Sequence, residues 1–377
     1  MKQLNYTVMK KIFILSTIIL SAFTFNNNAS AQGCVALRGS GAACMLAHPD
    51  TSGQKSWVFA SNLRYFRSYK HYSGTTENVA RLTDGSAVIN HQATVDLSLT
   101  RIFNSRWSIL VDAPIASNAR SSLYEHGLVM GAYIKKERHT THSFGLGDVR
   151  AAVYRWMLDP AKNKTFNFQL GMGIKFATGD YDVKDYWHNV GANGTSELRD
   201  VDQSIQLGDG GTGFTIEANT FYNFSSHFNA YGNFYYLVNP REQNGARTYR
   251  ETLSPSLANE AICSVPDQYM SRLGVNYTTS GGFSASLGGR IEGIPVNDLV
   301  GGSGDFRRPG YVISAEPAVN YAIKKLNFFA SVPFALQRNR LQSNTDKDNS
   351  TKYGKFVRGD AAFADYVVNI GLSVKFN

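Results

Sequence analysis

The chain has 377 residues and a formal net charge of +9 at pH 7, with 23 Phe, 20 Tyr, 34 Gly and only 10 Pro. A mean hydropathy of −0.25, with no apolar run of transmembrane length, excludes a bundle of membrane-spanning helices. The basic excess is mild; in an exported chain it suits anionic lipid headgroups or sugars and not nucleic acid.

The first element is a targeting segment. Lys10 and Lys11 precede the apolar run Ile12–Phe23, and Ala29-Ser30-Ala31 is a small-x-small cleavage pattern. Residues 1–31 therefore read as a secretory signal peptide, with Met9 as an alternative start and Gln32 as the mature terminus. Residues 32–55 follow as a periplasmic segment or a short plug. An oxidising compartment allows Cys34 and Cys44 to pair, leaving Cys263 over. Cys34 also follows Gly33 as a lipidated cysteine would, although Ala31-Gln32 makes a poor lipidation signal.

Twelve segments then alternate apolar and polar residues with the period of a strand, near 56–67, 92–101, 107–115, 144–157, 165–178, 211–223, 227–238, 268–278, 282–293, 310–323, 326–337 and 365–376. The stretch TFNFQLGMGIKFATGD (165–180) shows the pattern best. Phe166, Phe168, Leu170, Met172, Ile174 and Phe176 share one face, and Asn167, Gln169, Gly171, Gly173 and Lys175 the other.

The connections alternate as well. Long loops (68–91, 116–143, 179–210, 239–267, 294–309, 338–364) alternate strictly with short turns (102–106, 158–164, 224–226, 279–281, 324–325). A soluble sandwich has no reason for this rhythm. A transmembrane barrel has one: short periplasmic turns, long external loops and both termini in the periplasm. Aromatic residues recur on the apolar faces at spacings of eight to ten: Phe166 and Phe176, Tyr311 and Tyr321, Tyr366 and Phe376, Tyr269 and Tyr277, Phe228 and Tyr236. Ten residues of a strand tilted by about 40° span roughly 25 Å, the height of a barrel's apolar band, so these rings read as two interfacial girdles.

The predicted fold is thus all-β: an antiparallel transmembrane barrel of about 12 strands over residues 56–377. The apolar faces meet lipid. The opposite faces place Arg64, Asp96, Asp112, Lys175, Glu217, Arg272, Arg290, Glu292, Glu316 and Lys375 in the lumen, where glycines leave room. The cations there can select anions, or pair with the acids and fill the barrel; the cost of burying unpaired charge favours pairing. Twelve strands enclose less than a porin does, so a wide pore is not expected.

Two sets of motifs carry resemblances. The C-terminal NIGLSVKFN, with Asn369, Gly371, Leu372, Val374 and Phe376, resembles the assembly signal of outer-membrane barrels, with Asn377 as one extra residue. GLGDVRAAVYRW (145–156), GMGIKFATGDYD (171–182), the segment from Gly211 to Val238, and ISAEPAVNYAIKKLNFFASVPFAL (313–336) resemble the barrel family named for meta-pathway phenol degradation, with Ala177 where that family has proline. The resemblance implies passage of hydrophobic or aromatic compounds and a distant likeness to fatty-acid channels. It assigns no binding residues.

Other chemistry is weakly signalled. His139-Thr-Thr-His142 falls in an expected outer loop without an acidic partner, and GDGGTG (208–213) lacks the Lys-Ser/Thr of a phosphate loop. No catalytic residue, metal or cofactor is implied. The sequence therefore reads as an outer-membrane channel of a Gram-negative bacterium, reached by signal-peptide-dependent export. Its passage would be passive, for small hydrophobic or aromatic molecules. Expected partners are outer-membrane lipid, lipopolysaccharide and the barrel assembly machinery. A structural or adhesive barrel and a barrel enzyme are the alternatives.

Overall fold

The computed structural model describes residues 55–123, 125–126, 137–249 and 252–377. The leader, the segment 32–54 and Cys34 and Cys44 lie outside these residues. Twelve antiparallel strands form a closed barrel. They are β1 (Ser56–Ser73), β2 (Ile89–Ile102), β3 (Trp107–Ser122), β4 (His139–Leu146 and Arg150–Trp156), β5 (Phe166–Lys175) and β6 (Gly213–Asn223). There follow β7 (Phe228–Val238), β8 (Gln268–Thr278), β9 (Phe283–Ile294), β10 (Gly310–Ile323), β11 (Leu326–Ser331 and Phe334–Arg340) and β12 (Ala361–Phe376). Each strand pairs with its sequence neighbours, and β12 closes on β1 from Trp57 opposite Phe376 to Tyr72 opposite Ala361. Closure pairs the strands of the apolar band on both sides, as a bilayer requires, while the extension of β4 from His139 to Leu146 pairs with β3 on one side.

The alternation falls as the pattern requires. On β5, Leu170 and Met172 are 44% and 72% exposed, while Asn167 and Gln169 are 0% and 1% exposed. The core of this molecule is therefore polar and its outside apolar, the inverse of a soluble domain. The interior glycines do not leave open space. A side chain at Gly171 would meet the Tyr154 ring at 2.5 Å, one at Gly371 would meet Phe329, and Tyr231 lies across Gly274. Aromatic rings from neighbouring strands fill the room.

Strand lengths depart from the alternation at the long-loop end. β1 runs on to Ser73, β3 to Ser122, β4 begins at His139 and β12 at Ala361. The outward residues of these extensions, such as Arg67, Ser117 and Ser121, are polar. Above the apolar band both faces of a strand are wet, so the two-residue pattern stops while the backbone ladder continues. Two breaks sit at prolines. Gly147, Asp148 and Val149 face only Ala113 and Pro114, a bulge in β4 where Pro114 has no N–H to give. Val332-Pro333 splits β11 in the same way.

The loops carry small elements that alternation cannot show. Lys184–Trp187 pairs with Glu197–Asp200, and Gln243–Arg247 with Ile262–Ser264. A polar helix, Asn344–Tyr353, stands after β11. It is started by a capping box between Ser343 and Asp346 and ended by Gly354 in the left-handed region, φ 62°.

Candidate functional site

The middle of the lumen is a layer of ion pairs. Arg150 on β4 reaches Asp112 at 2.5 Å and also pairs with Glu217, and Tyr154 donates to Glu217 at 2.7 Å. Across the barrel, Arg290 meets Glu292 at 2.5 Å, while Arg272 meets Glu316 at 3.3 Å. Asn62 donates to Asp96 at 3.4 Å, beside the buried Arg64 on β1. These side chains are largely shielded from solvent. Charges in such a place persist only when paired, since an uncompensated buried ion is costly.

Above this layer a loop turns into the barrel. Lys175, the last residue of β5, pairs with Asp148 at 3.3 Å and with Asp209. The bulge in β4 turns Asp148 inward. Its carboxylate also accepts from the backbone N–H of Gly179 at 2.9 Å and of Asp209 at 3.2 Å. The carbonyl of Asp180 accepts from Leu207 and Gly208 at 3.0 and 2.9 Å. Gly179 and Gly208 touch backbone to backbone, a contact that any side chain would block. Three Gly-Asp pairs far apart in sequence, Gly147-Asp148, Gly179-Asp180 and Gly208-Asp209, thus form one clasp.

The clasp folds residues 201–209 across the lumen. Val201, Asp202 and Ile205 are no more than 1% exposed. Asn118 donates to the Ile205 carbonyl at 3.3 Å, Ser143 donates to the same oxygen, and Gln92 donates to the Ser204 carbonyl at 2.8 Å. Asp202 is the anchor. It lies 2.8 Å from Arg308, which comes from the loop after β9, and 3.5 Å from Arg120 on β3. Glu125 completes the group at 2.6 Å from Arg120. Burial alone would raise the Asp202 pKa, but the two guanidinium groups outweigh it and hold the carboxyl well below the usual carboxylate range. Gln203 ties the segment to the carbonyls of Ser264 and Phe306, so two further loops brace it.

The lumen retains cavities among the described residues. One, at the short-turn end, is about 520 Å³ and is lined by Leu110, Trp156, Tyr231 and Phe329 together with Gln169, Asn233 and Arg272. Another, of about 150 Å³, lies between the ion-pair layer and the inward loop and is lined by Asp96, Asp112, Arg150, Lys175, Tyr235 and Gln268. Their boundary falls between Ser98 and Asp96 on β2, and between Leu110 and Asp112 on β3.

The residues singled out in the sequence are placed as follows. Arg64, Asp112, Lys175, Glu217, Arg272, Arg290, Glu292 and Glu316 are buried on interior faces; Asp96 lines the small cavity and Lys375 the large one. Sequence reasoning missed Arg150, Asp148, Asp202 and Arg308, and took 179–210 for an external loop only. The repeated Gly-Asp pairs were the available signal. His139 and His142 do not converge. Three residues apart on a strand, they leave opposite faces: His139 stacks on His188 at 4.3 Å, and His142 meets Asp185 at 3.3 Å. Among the described residues Cys263 is a free, buried thiol, pushed up to about 12 chiefly by burial and then by the Asp202 charge.

No known family's sequence profile matches this chain, and no curated protein sequence matches it. Solved structures do. The COG4313 outer membrane channel from Pseudomonas putida F1 superposes with a TM-score of 0.57 at 9% identity, over 88% of this chain and 98% of that one. A Pseudomonas aeruginosa FadL homologue gives 0.41 at 8% identity, over 92% and 96%. The Ralstonia pickettii toluene transporter TbuX gives 0.42 at 11% identity, over 93% and 100%. The fold is that of an outer-membrane β-barrel.

Proposed function

We propose that this protein is an outer-membrane channel for the passive passage of small hydrophobic or aromatic molecules. The observation that carries the reading is the cavity at the short-turn end. Its volume, about 520 Å³, suits a small organic molecule, and its wall combines aromatic and apolar side chains with amides, hydroxyls and the charged Arg272, Glu316, Lys324, Lys325 and Lys375. In this reading the inward loop and the ion-pair layer meter the path, and neither is catalytic. The protein reaches the outer membrane by export and is assembled through its C-terminal strand.

The test is conductance of the purified protein in a planar bilayer, with and without an aromatic solute. A steady current that the solute reduces, without abolishing, supports a channel in which the solute occupies the lumen. A silent barrel that also fails to equilibrate a radiolabelled aromatic into liposomes overturns the reading in favour of a structural barrel.

A further inference from the structure

The lipid-facing surface at the short-turn end is not uniform. On β5 to β10 its girdle is aromatic and uncharged, with Phe166 opposite Tyr222, Phe228 opposite Tyr277 and Phe283 opposite Tyr321. On β1 to β4 it reads Trp57, Arg101, Trp107, Arg155. Trp57 stands opposite Arg101, and Trp107 opposite Arg155. The guanidinium carbons lie 4.9 Å and 5.1 Å from the indole centroids. Those rings are the only partners that the described residues supply to either arginine.

Parity fixes all four on the outside. Their outward neighbours one step toward the membrane centre, Phe59, Leu99, Ile109 and Val153, are apolar and exposed. An arginine deep on a lipid face is costly, and it becomes favourable only at the level of the headgroups, where it meets phosphate. Tryptophan prefers the same level. The two arginines sit two strands apart and two residues out of register, roughly 12 Å between their backbones, a gap that two long side chains can close around one phosphodiester. Arg155 already leans over Trp107, on the strand between the two arginines, so it loses little freedom on binding, whereas Arg101 must turn from Trp57 toward it.

We propose that this row is a binding site for an anionic phospholipid of the periplasmic leaflet, of the phosphatidylglycerol class. Arg101 and Arg155 take the headgroup phosphate. Trp107 lies between them and Trp57 on the far side of Arg101, and the acyl chains run up over the apolar residues beyond. Phosphatidylethanolamine fits less well, because its ammonium group faces two guanidinium groups. Lipopolysaccharide also carries phosphate but occupies the other leaflet, at the long-loop end.

The test is native mass spectrometry of the detergent-released, full-length folded barrel, with phosphatidylglycerol and phosphatidylethanolamine supplied in equal amounts. Phosphatidylglycerol adducts should predominate. Arg101→Gln and Arg155→Gln should each reduce that preference about fivefold, and the double variant should abolish it. Arg101→Lys/Arg155→Lys should retain part of it. Heat-modified gel mobility shows which variants are folded; if the double variant is not, the two single variants carry the test. Lipopolysaccharide adducts should be the same for wild type and variants. Equal binding of the two phospholipids by wild type, undiminished preference in folded variants, or loss of lipopolysaccharide instead of phosphatidylglycerol would each overturn the proposal.

Discussion

The two ends of the barrel solve opposite problems with the same strands. At the short-turn end the turns are tight, the lumen holds the larger cavity, and Lys324, Lys325 and Lys375 are among its lining groups. At the long-loop end the lumen is crossed by backbone, and nearly every buried charge has a named partner. Asp202 holds Arg120 and Arg308, Asp298 takes Arg307 at 2.7 Å, and Asp346 takes Arg340 at 3.2 Å. The difference shows where the barrel spends its specificity. The short-turn end needs only ladder closure and an interfacial girdle. The long-loop end needs particular residues meeting across long separations in sequence, so substitutions there should be the more selective.

The boundary between the two ends is the ion-pair layer, and breaking it should have the largest effect. Arg150→Met leaves Asp112 and Glu217 buried together without a counterion. Removing one partner of such a group costs about 3–5 kcal/mol. Urea unfolding of the barrel in vesicles, followed by gel mobility, should show a loss of that order. Adding Asp112→Asn and Glu217→Gln should restore most of it. No recovery in the triple variant would mean that shape, not charge, sets the requirement.

Next is the anchor of the inward loop. Asp202→Asn keeps the shape but removes the charge between two guanidinium groups. Charge-assisted hydrogen bonds contribute roughly 1.5–3 kcal/mol, so the population with the loop swung out should rise about tenfold or more. Single-channel recording should show longer or larger open events than wild type. Because the group is buried, 1 M salt should change wild-type behaviour little. Unchanged recordings for the variant would mean that the clasp of Asp148, Lys175 and Asp209 holds the loop unaided.

The two ends also differ in how far they could be read from sequence. The wall was legible because lipid on one side and water on the other force a strict two-residue period, and β5 obeys it from Phe166 to Ile174. The ends of the strands were less legible: at Ser117 or Arg67 both faces meet water, so composition no longer reports direction. The inward loop was not legible as such. Nothing periodic marks residues 201–209, and the contacts of Asp202 with Arg120 and Arg308 span 82 and 106 positions. What the sequence did hold was the recurrence of Gly-Asp, a requirement of close backbone approach and not of any period. The helix Asn344–Tyr353 escaped because it has no apolar stripe, although Ser343 and Asp346 spell its cap.

A smaller effect should come from pH, and only at the long-loop end. His126 is packed against Trp187, with ring centroids 5.0 Å apart. It is pushed down to about 4 by burial first, then by His139, His188 and Arg120, with Asp185 opposing. A histidine in an opened loop titrates near its ordinary value, so between about pH 6.5 and 4 the opened form binds a proton that the closed form refuses. The closed loop therefore weakens as pH falls through that window and is unaffected between pH 7 and 8. Trp187 is 1% exposed, so acrylamide quenching of its fluorescence should rise on acidification. His126→Asn should flatten the response. A response of the same sign that survives this change would assign it to His139, whose ring lies 5.4 Å from that of His126.

The smallest effect tests whether the loops at this end act as one body. Ser343 accepts from the Asp346 amide at 3.1 Å, and Asp346 answers by accepting from the Ser343 amide at 2.9 Å. Ser343→Ala removes half of this capping box and should cost about 1 kcal/mol of local stability. If the helix is an independent ornament, hydrogen exchange should speed up only within 344–353. The contacts argue otherwise. Asn349 donates to the Ser256 carbonyl at 2.6 Å, Asp346 holds Arg340, and the Gly359 amide donates to the same carboxylate at 3.0 Å. A loosened first turn should therefore also speed exchange near Ser256 and at Gly359, while the short-turn end, which shares none of these contacts, exchanges as before. Faster exchange confined to the helix would show that the loops are braced through Gln203 and Asp202 alone, and would move the whole burden of closure to the inward loop.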